Sequence, residues 1–157
     1  MNSLETAISH MLWSDQKFFD LVLQLPEESL ALTAAPGEWS VGHLMMHFVE
    51  SAEWFHFCLT KTPWSEHQPA QTMADVRRLK AHLADLAPAF TLQVGLEDEL
   101  LTFDTGEEVM TAQRSMILSQ AVVHTAEHKG QIASILRSNG VVFDLDRLDV
   151  WHFSRKH

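Results

Sequence analysis

Between Ala112 and Ser138 the apolar residues fall on one helical stripe, and histidine takes two of the places in it. Ile117, Ala121, His124, His128, Ile132 and Ile135 follow at three- and four-residue steps, the spacing that lines up one face of an α-helix. A helix with such a stripe must bury it against other elements, so the two imidazoles are carried inward with it. Buried without partners, they would lose several hydrogen bonds to water. Hydrogen bonds to carboxylates such as Glu50 or Glu53 relieve that cost, and so does a divalent cation, which takes a lone pair from each neutral ring at about 2.0–2.1 Å. One helical turn rises about 6 Å over four residues, so His124 and His128 present both rings on the same side, which is half of a metal site.

The remaining chain supplies three further helical stretches. Ser3 to about Leu25 carries Leu4, Ile8, Met11, Leu12, Phe19, Val22 and Leu25 at helical spacing, with Ser3 as the predicted cap and Pro26 as the stop. A loop with a Pro36-Gly37 turn follows, and a second helix is predicted from about Trp39-Ser40 to Leu59, with Ser40 as its cap. Pro63 and Pro69 bracket the next loop. Thr72 and Asp75 form a capping box for a third helix, whose Val76, Leu79, Leu83, Leu86 and Phe90 make a bundle seam. Pro88 is expected to kink or end it. Leu100 to Met110 reads as strand, with a turn at Asp104-Thr105-Gly106, and Asn139-Gly140 stops the last helix. The predicted fold class is all-α: a four-helix bundle with long inter-helix connections, forming a single domain over residues 1–157.

The best third donor is His47, on the second helix. His43 lies one turn before it and makes a second H-x-x-x-H pair, so a contribution from His43 stays open. Three histidines from two helices leave positions free for water or substrate, as a catalytic metal requires, whereas a closed structural zinc site prefers thiolates and this chain has a single cysteine, Cys58. Gln131, three residues after His128 and on much the same side, is a candidate either to orient a ring or to make a helix-to-helix hydrogen bond. Lys129 is expected in solvent, and Gly130 is a candidate for close helix approach. Met45, Met46, Trp54 and Phe55 are read as core or pocket wall.

Composition narrows the function classes. With 21 acidic against 11 basic residues, the net charge of −10 disfavours nucleic acid, whose phosphates need clustered Lys and Arg. No apolar run approaches the roughly 20 residues of a membrane span, and the opening MNSLETAISHMLWSDQ lacks the basic start and apolar block of a signal peptide. One cysteine suits a reducing compartment. The expectation is a cytoplasmic protein whose partner is a small molecule, with no membrane or nucleic-acid role. Of the ten histidines, His10, His67, His82 and His157 are scattered along the chain.

Several of these segments resemble the DinB/YfiT superfamily of metal-dependent proteins. Trp39-Ser40-Val41, with His47 eight residues after the Trp, is similar to its second-helix motif. His124-x-x-x-His128-Lys129-Gly130-Gln131-Ile132, followed by Leu136-Arg137 and Gly140, is similar to its last-helix motif. Leu12-Trp13-Ser14-Asp15 and Leu25-Pro26 fit its first helix. The resemblance implies a bundle in which His47, His124 and His128 hold a divalent metal ion, commonly nickel, zinc, iron or manganese. Lys129 stands where many relatives have Arg. Activities assigned to similar proteins are mostly thiol-dependent, either S-transfer from bacillithiol and related low-molecular-weight thiols or mycothiol-dependent maleylpyruvate isomerisation. A metal-dependent small-thiol S-transferase is therefore the leading expectation. A non-catalytic, stress-associated metal-binding protein is the alternative, and a homodimer fits either. The segment His124-Thr-Ala-Glu127-His128 also matches the H-x-x-E-H pattern of zinc hydrolases, which would need a downstream acid such as Asp144 as third ligand.

Overall fold

The computed structural model describes residues 3–155. Four long helices carry the fold: α1 (Ser3–Val22), α2 (Val41–Thr60), α3 (Met73–Val94) and α4 (Arg114–Ser138). A two-stranded antiparallel hairpin, β1 (Leu100–Asp104) and β2 (Val109–Gln113), precedes α4, and a short α5 (Val150–Ser154) follows it. Helices α1 and α2 each pack on both α3 and α4, so α1 lies diagonally across the bundle from α2. Phe18 and Phe19 of α1 meet Phe48 of α2 across the centre, and all three are fully buried. The adjacency of α2 and α4 is what matters for function, because the histidine pair of α4 faces the helix that carries His47.

The helix ends follow from local chemistry. Ser40 caps α2 by accepting the backbone N–H of His43 at 3.1 Å. Thr72 and Asp75 form a reciprocal capping box at the start of α3. Ser3 already lies within α1, and α1 ends at Val22, after which two i→i−3 bonds tighten the chain up to Leu25. The hairpin turn spans Thr105–Glu108, where Gly106 takes φ +87° and the Asp104 carboxylate accepts its N–H at 2.8 Å.

Packing decides one expectation and corrects two others. Helix α3 runs through Pro88 to Val94, so of the two outcomes expected of that proline, a kink or an end, it is not the end. Proline gives up one hydrogen bond, to the Ala84 carbonyl, but Phe90 and Gln93 beyond it are buried and hold the last turns in place. Gly130 is exposed, and a Cβ there would meet open space; the close approach is at Gly42, where a Cβ would fall 1.9 Å from the Ala70 carbonyl oxygen. Helix α4 starts at Arg114, two residues later than predicted, because Ala112 and Gln113 complete the hairpin ladder against Leu101 and Leu100. Among the described residues no helix is long and apolar enough to cross a membrane.

Candidate metal centre

His124 and His128 project from successive turns of α4 toward α2, and His47 projects from α2 to meet them. One ring nitrogen of each lies within 4.8 Å of the other two. His124 Nε2 is 2.9 Å from His128 Nε2 and 2.9 Å from Ser51 Oγ, which in turn lies 3.4 Å from His47 Nε2. The rings stand nearly edge to face, with interplanar angles of 87° for His47–His128 and for His124–His128.

Neighbouring side chains fix these orientations. Gln131 Oε1 accepts the Nδ1–H of His128 at 2.7 Å, which puts that ring's proton on Nδ1 and frees the Nε2 lone pair. Burial first, and then the neighbouring His128, lower the pKa of His47 and of His124 below the usual imidazole value, so these two rings stay neutral at neutral pH. His43 takes no part in the convergence: its ring stacks on Trp39 at a centroid distance of 4.3 Å. Glu127 is exposed on α4 and so is Asp144, so the trio is completed by His47 instead of the acid that an H-x-x-E-H hydrolase would need.

A cavity of about 600 Å³ opens beside His47 and His124, walled by Trp54, Phe55 and Trp64 and rimmed by Glu50 and Glu66. Trp54 and Phe55 are thus wall residues, while Met45 and Met46 belong to the core. Cys58 contributes no sulfur to this site. It is buried, and burial pushes its thiol up to about 11, which keeps it protonated at neutral pH.

Two features escaped the sequence reading. Lys129 is buried instead of solvated, and its Nζ donates to Ser14 Oγ at 2.6 Å and pairs with Asp15 Oδ1 at 2.7 Å. Ser14 and Asp15 lie on the buried side of α1, and only the pairing of α1 with α4 gives them meaning. Glu53, His67 and His82 also converge, within 4.8 Å of one another, although they lie far apart in the sequence and come from α2, the following loop and α3.

A four-helix bundle with three imidazoles gathered between two neighbouring helices defines a class of protein built to present nitrogen donors beside an open cavity. The DinB family model matches residues 1–146, and the chain belongs to the DinB family. A crystal structure of a DinB-like protein from Bacillus cereus ATCC 10987 shares the fold with a TM-score of 0.62 and 22% identity, over 87% of this chain and 90% of that one. No curated protein matches the chain. The family is generally associated with metals.

Proposed function

We propose that His47, His124 and His128 bind one divalent metal ion and that the protein uses it in a metal-dependent transfer reaction with a small thiol as nucleophile. The observation that carries this reading is the meeting of three ring nitrogens within 4.8 Å, at the wall of an aromatic cavity. The fit is supported by donor chemistry. Tetrahedral nitrogen ligands at about 2.0–2.1 Å from a cation sit about 3.3 Å apart, a value close to the 2.9 Å between His124 Nε2 and His128 Nε2. Nickel, zinc, iron and manganese all accept imidazole, and availability decides among them. When bound, such a cation supplies Lewis acidity that favours the deprotonated form of a thiol or water beside it.

The chain's own side chains account for the rest. Gln131 fixes the His128 tautomer, so that ring offers a lone pair without rearrangement. The Ser51 hydroxyl, between His124 and His47, is placed to hold or pass a proton at the cavity wall. Trp54, Phe55 and Trp64 offer aromatic walls that suit a flat or apolar electrophile. The rim carries the carboxylates of Glu50 and Glu66, and among the described residues no Lys or Arg lines the cavity. Uncharged or amine-bearing thiols therefore fit better than thiols with several carboxylates.

Elemental analysis of purified protein, beside His47→Ala and His124→Ala/His128→Ala variants, tests the site: each variant is expected to lose one metal equivalent. Full retention in both overturns the assignment. Conjugation of a panel of small thiols with model electrophiles, with and without added nickel or zinc, tests the reaction. Turnover that depends on metal and disappears in the variants supports the enzyme, and its absence across the panel leaves a metal-binding protein without catalysis.

A further inference from the structure

We propose that Glu53, His67 and His82 form a second divalent-cation site, for a late first-row ion such as zinc, that clamps the loop between α2 and α3 onto the bundle. Glu53 stands on α2 and is 4% exposed, and its two carboxylate oxygens are shared out between two rings. His67 Nε2 lies 2.9 Å from Oε2, and His82 Nε2 lies 2.5 Å from Oε1. The backbone N–H of Ser65 donates to Oε1 at 3.3 Å. Among the described residues no Lys or Arg pairs with Glu53, so the side chains that meet this buried carboxylate are the two imidazoles.

Two nitrogen donors and one carboxylate oxygen form a donor set that zinc and the neighbouring first-row ions accept and that calcium and magnesium, which require mostly oxygen, do not. The three donors come from two rigid helices and one loop, and their ligating atoms lie within 4.8 Å of one another. Access is provided on one side: the His82 side chain is 30% exposed, against 14% for His67 and 5% for Glu53. An ion seated there would keep an open position toward water at His82.

The site has a structural consequence that the three-histidine centre lacks. Residues 61–72 contain no helix or strand, yet Trp64 and Glu66 from this segment wall the cavity beside His47 and His124. His67 and Ser65 are the points at which the segment is tied to Glu53. A cation bridging Glu53, His67 and His82 holds that wall in place.

The proposal is tested by titrating metal-stripped, full-length protein with zinc by calorimetry, with elemental analysis after desalting. The wild-type chain is expected to take two equivalents, His67→Ala/His82→Ala one, and His47→Ala/His124→Ala one. Hydrogen exchange across residues 61–72 is expected to slow when the wild-type protein is loaded, and to stay unchanged in His67→Ala/His82→Ala. Wild-type and His67→Ala/His82→Ala proteins that take the same number of equivalents overturn the second site. A loss confined to His67→Ala/His82→Ala, with His47→Ala/His124→Ala equal to wild type, supports the second site and overturns the three-histidine assignment instead. Glu53→Gln keeps the side-chain volume and one acceptor oxygen, so a folded Glu53→Gln protein that still takes two equivalents also overturns the proposal.

Discussion

Lys129 carries its charge into the bundle beside the residue that anchors one end of the histidine trio, and this is costly unless Asp15 is there to meet it. The two side chains are 10% and 3% exposed, and burial pushes the Asp15 carboxyl upward against the opposing pull of Lys129. Removing the cation alone leaves an uncompensated buried carboxylate, so Lys129→Met is expected to lower stability by about 3–5 kcal/mol. In urea unfolding, Asp15→Asn/Lys129→Met should recover much of that loss, because neither partner is left charged and alone. Equal destabilisation of single and double variants would show that the pair contributes through packing instead. Gln131 acts at the same scale in a different way, through its hydrogen bond to His128. If its role is to hold the tautomer, Gln131→Ala should fold normally and weaken metal binding about 10–100-fold in a competition titration with a chelator. An unchanged affinity would reduce Gln131 to a helix-surface hydrogen bond.

At the scale of elements, Gly42 and Asp75 govern how α2 and α3 begin. A Cβ at Gly42 would lie 1.9 Å from the backbone oxygen of Ala70, whose N–H donates to the Gly42 carbonyl at 3.0 Å. Gly42→Ala should therefore displace the 61–72 segment and lower the melting temperature, whereas Gly130→Ala, open to solvent, should leave it unchanged or raise it. Asp75 is held well below the usual carboxylate range, first by the Arg78 guanidinium and then by the N–H groups of Gln71 and Thr72. A depressed pKa contributes stability that is fully present above the unfolded value of about 3.9 and is lost as pH falls through the folded value. The gap in melting temperature between wild type and Asp75→Asn should hence be constant above about pH 5 and close toward pH 2. A gap that persists into strong acid would mean that the cap does not need the charge. These elements also mark how far the sequence could be read. The Ser40 cap, the Thr72 box and the α4 stripe were legible because each depends on residues within one or two turns. The buried role of Lys129, the gathering of Glu53, His67 and His82, and the passage of α3 through Pro88 depend on which helix lies against which, and no local pattern carries that information.

For the whole molecule, the decisive quantity is how strongly metal binding is linked to folding. The three donors of the proposed centre come from α2 and α4, helices joined only through α3 and the hairpin, so a cation held there fastens together two parts of the chain more than 70 residues apart. An unfolded chain offers no such preformed site, and binding therefore stabilises the native state by RT ln(1 + [L]/Kd), about 2.7 kcal/mol at a hundredfold excess over Kd. For a domain of this length each kcal/mol moves the melting temperature by about 2–4 °C, so loading should raise it by roughly 5–10 °C. The net charge of −10 works in the same direction by concentrating cations around the protein, an effect that added salt should reduce while the bound state persists. Differential scanning calorimetry of chelator-stripped and reloaded protein measures the shift directly. His124→Ala/His128→Ala should show the stripped value under both conditions, apart from any rise contributed through Glu53. A wild-type protein whose melting temperature ignores both chelator and added metal would show that the three imidazoles serve the bundle only as hydrogen-bonded core, and the thiol chemistry proposed for the cavity would lose its source of activation.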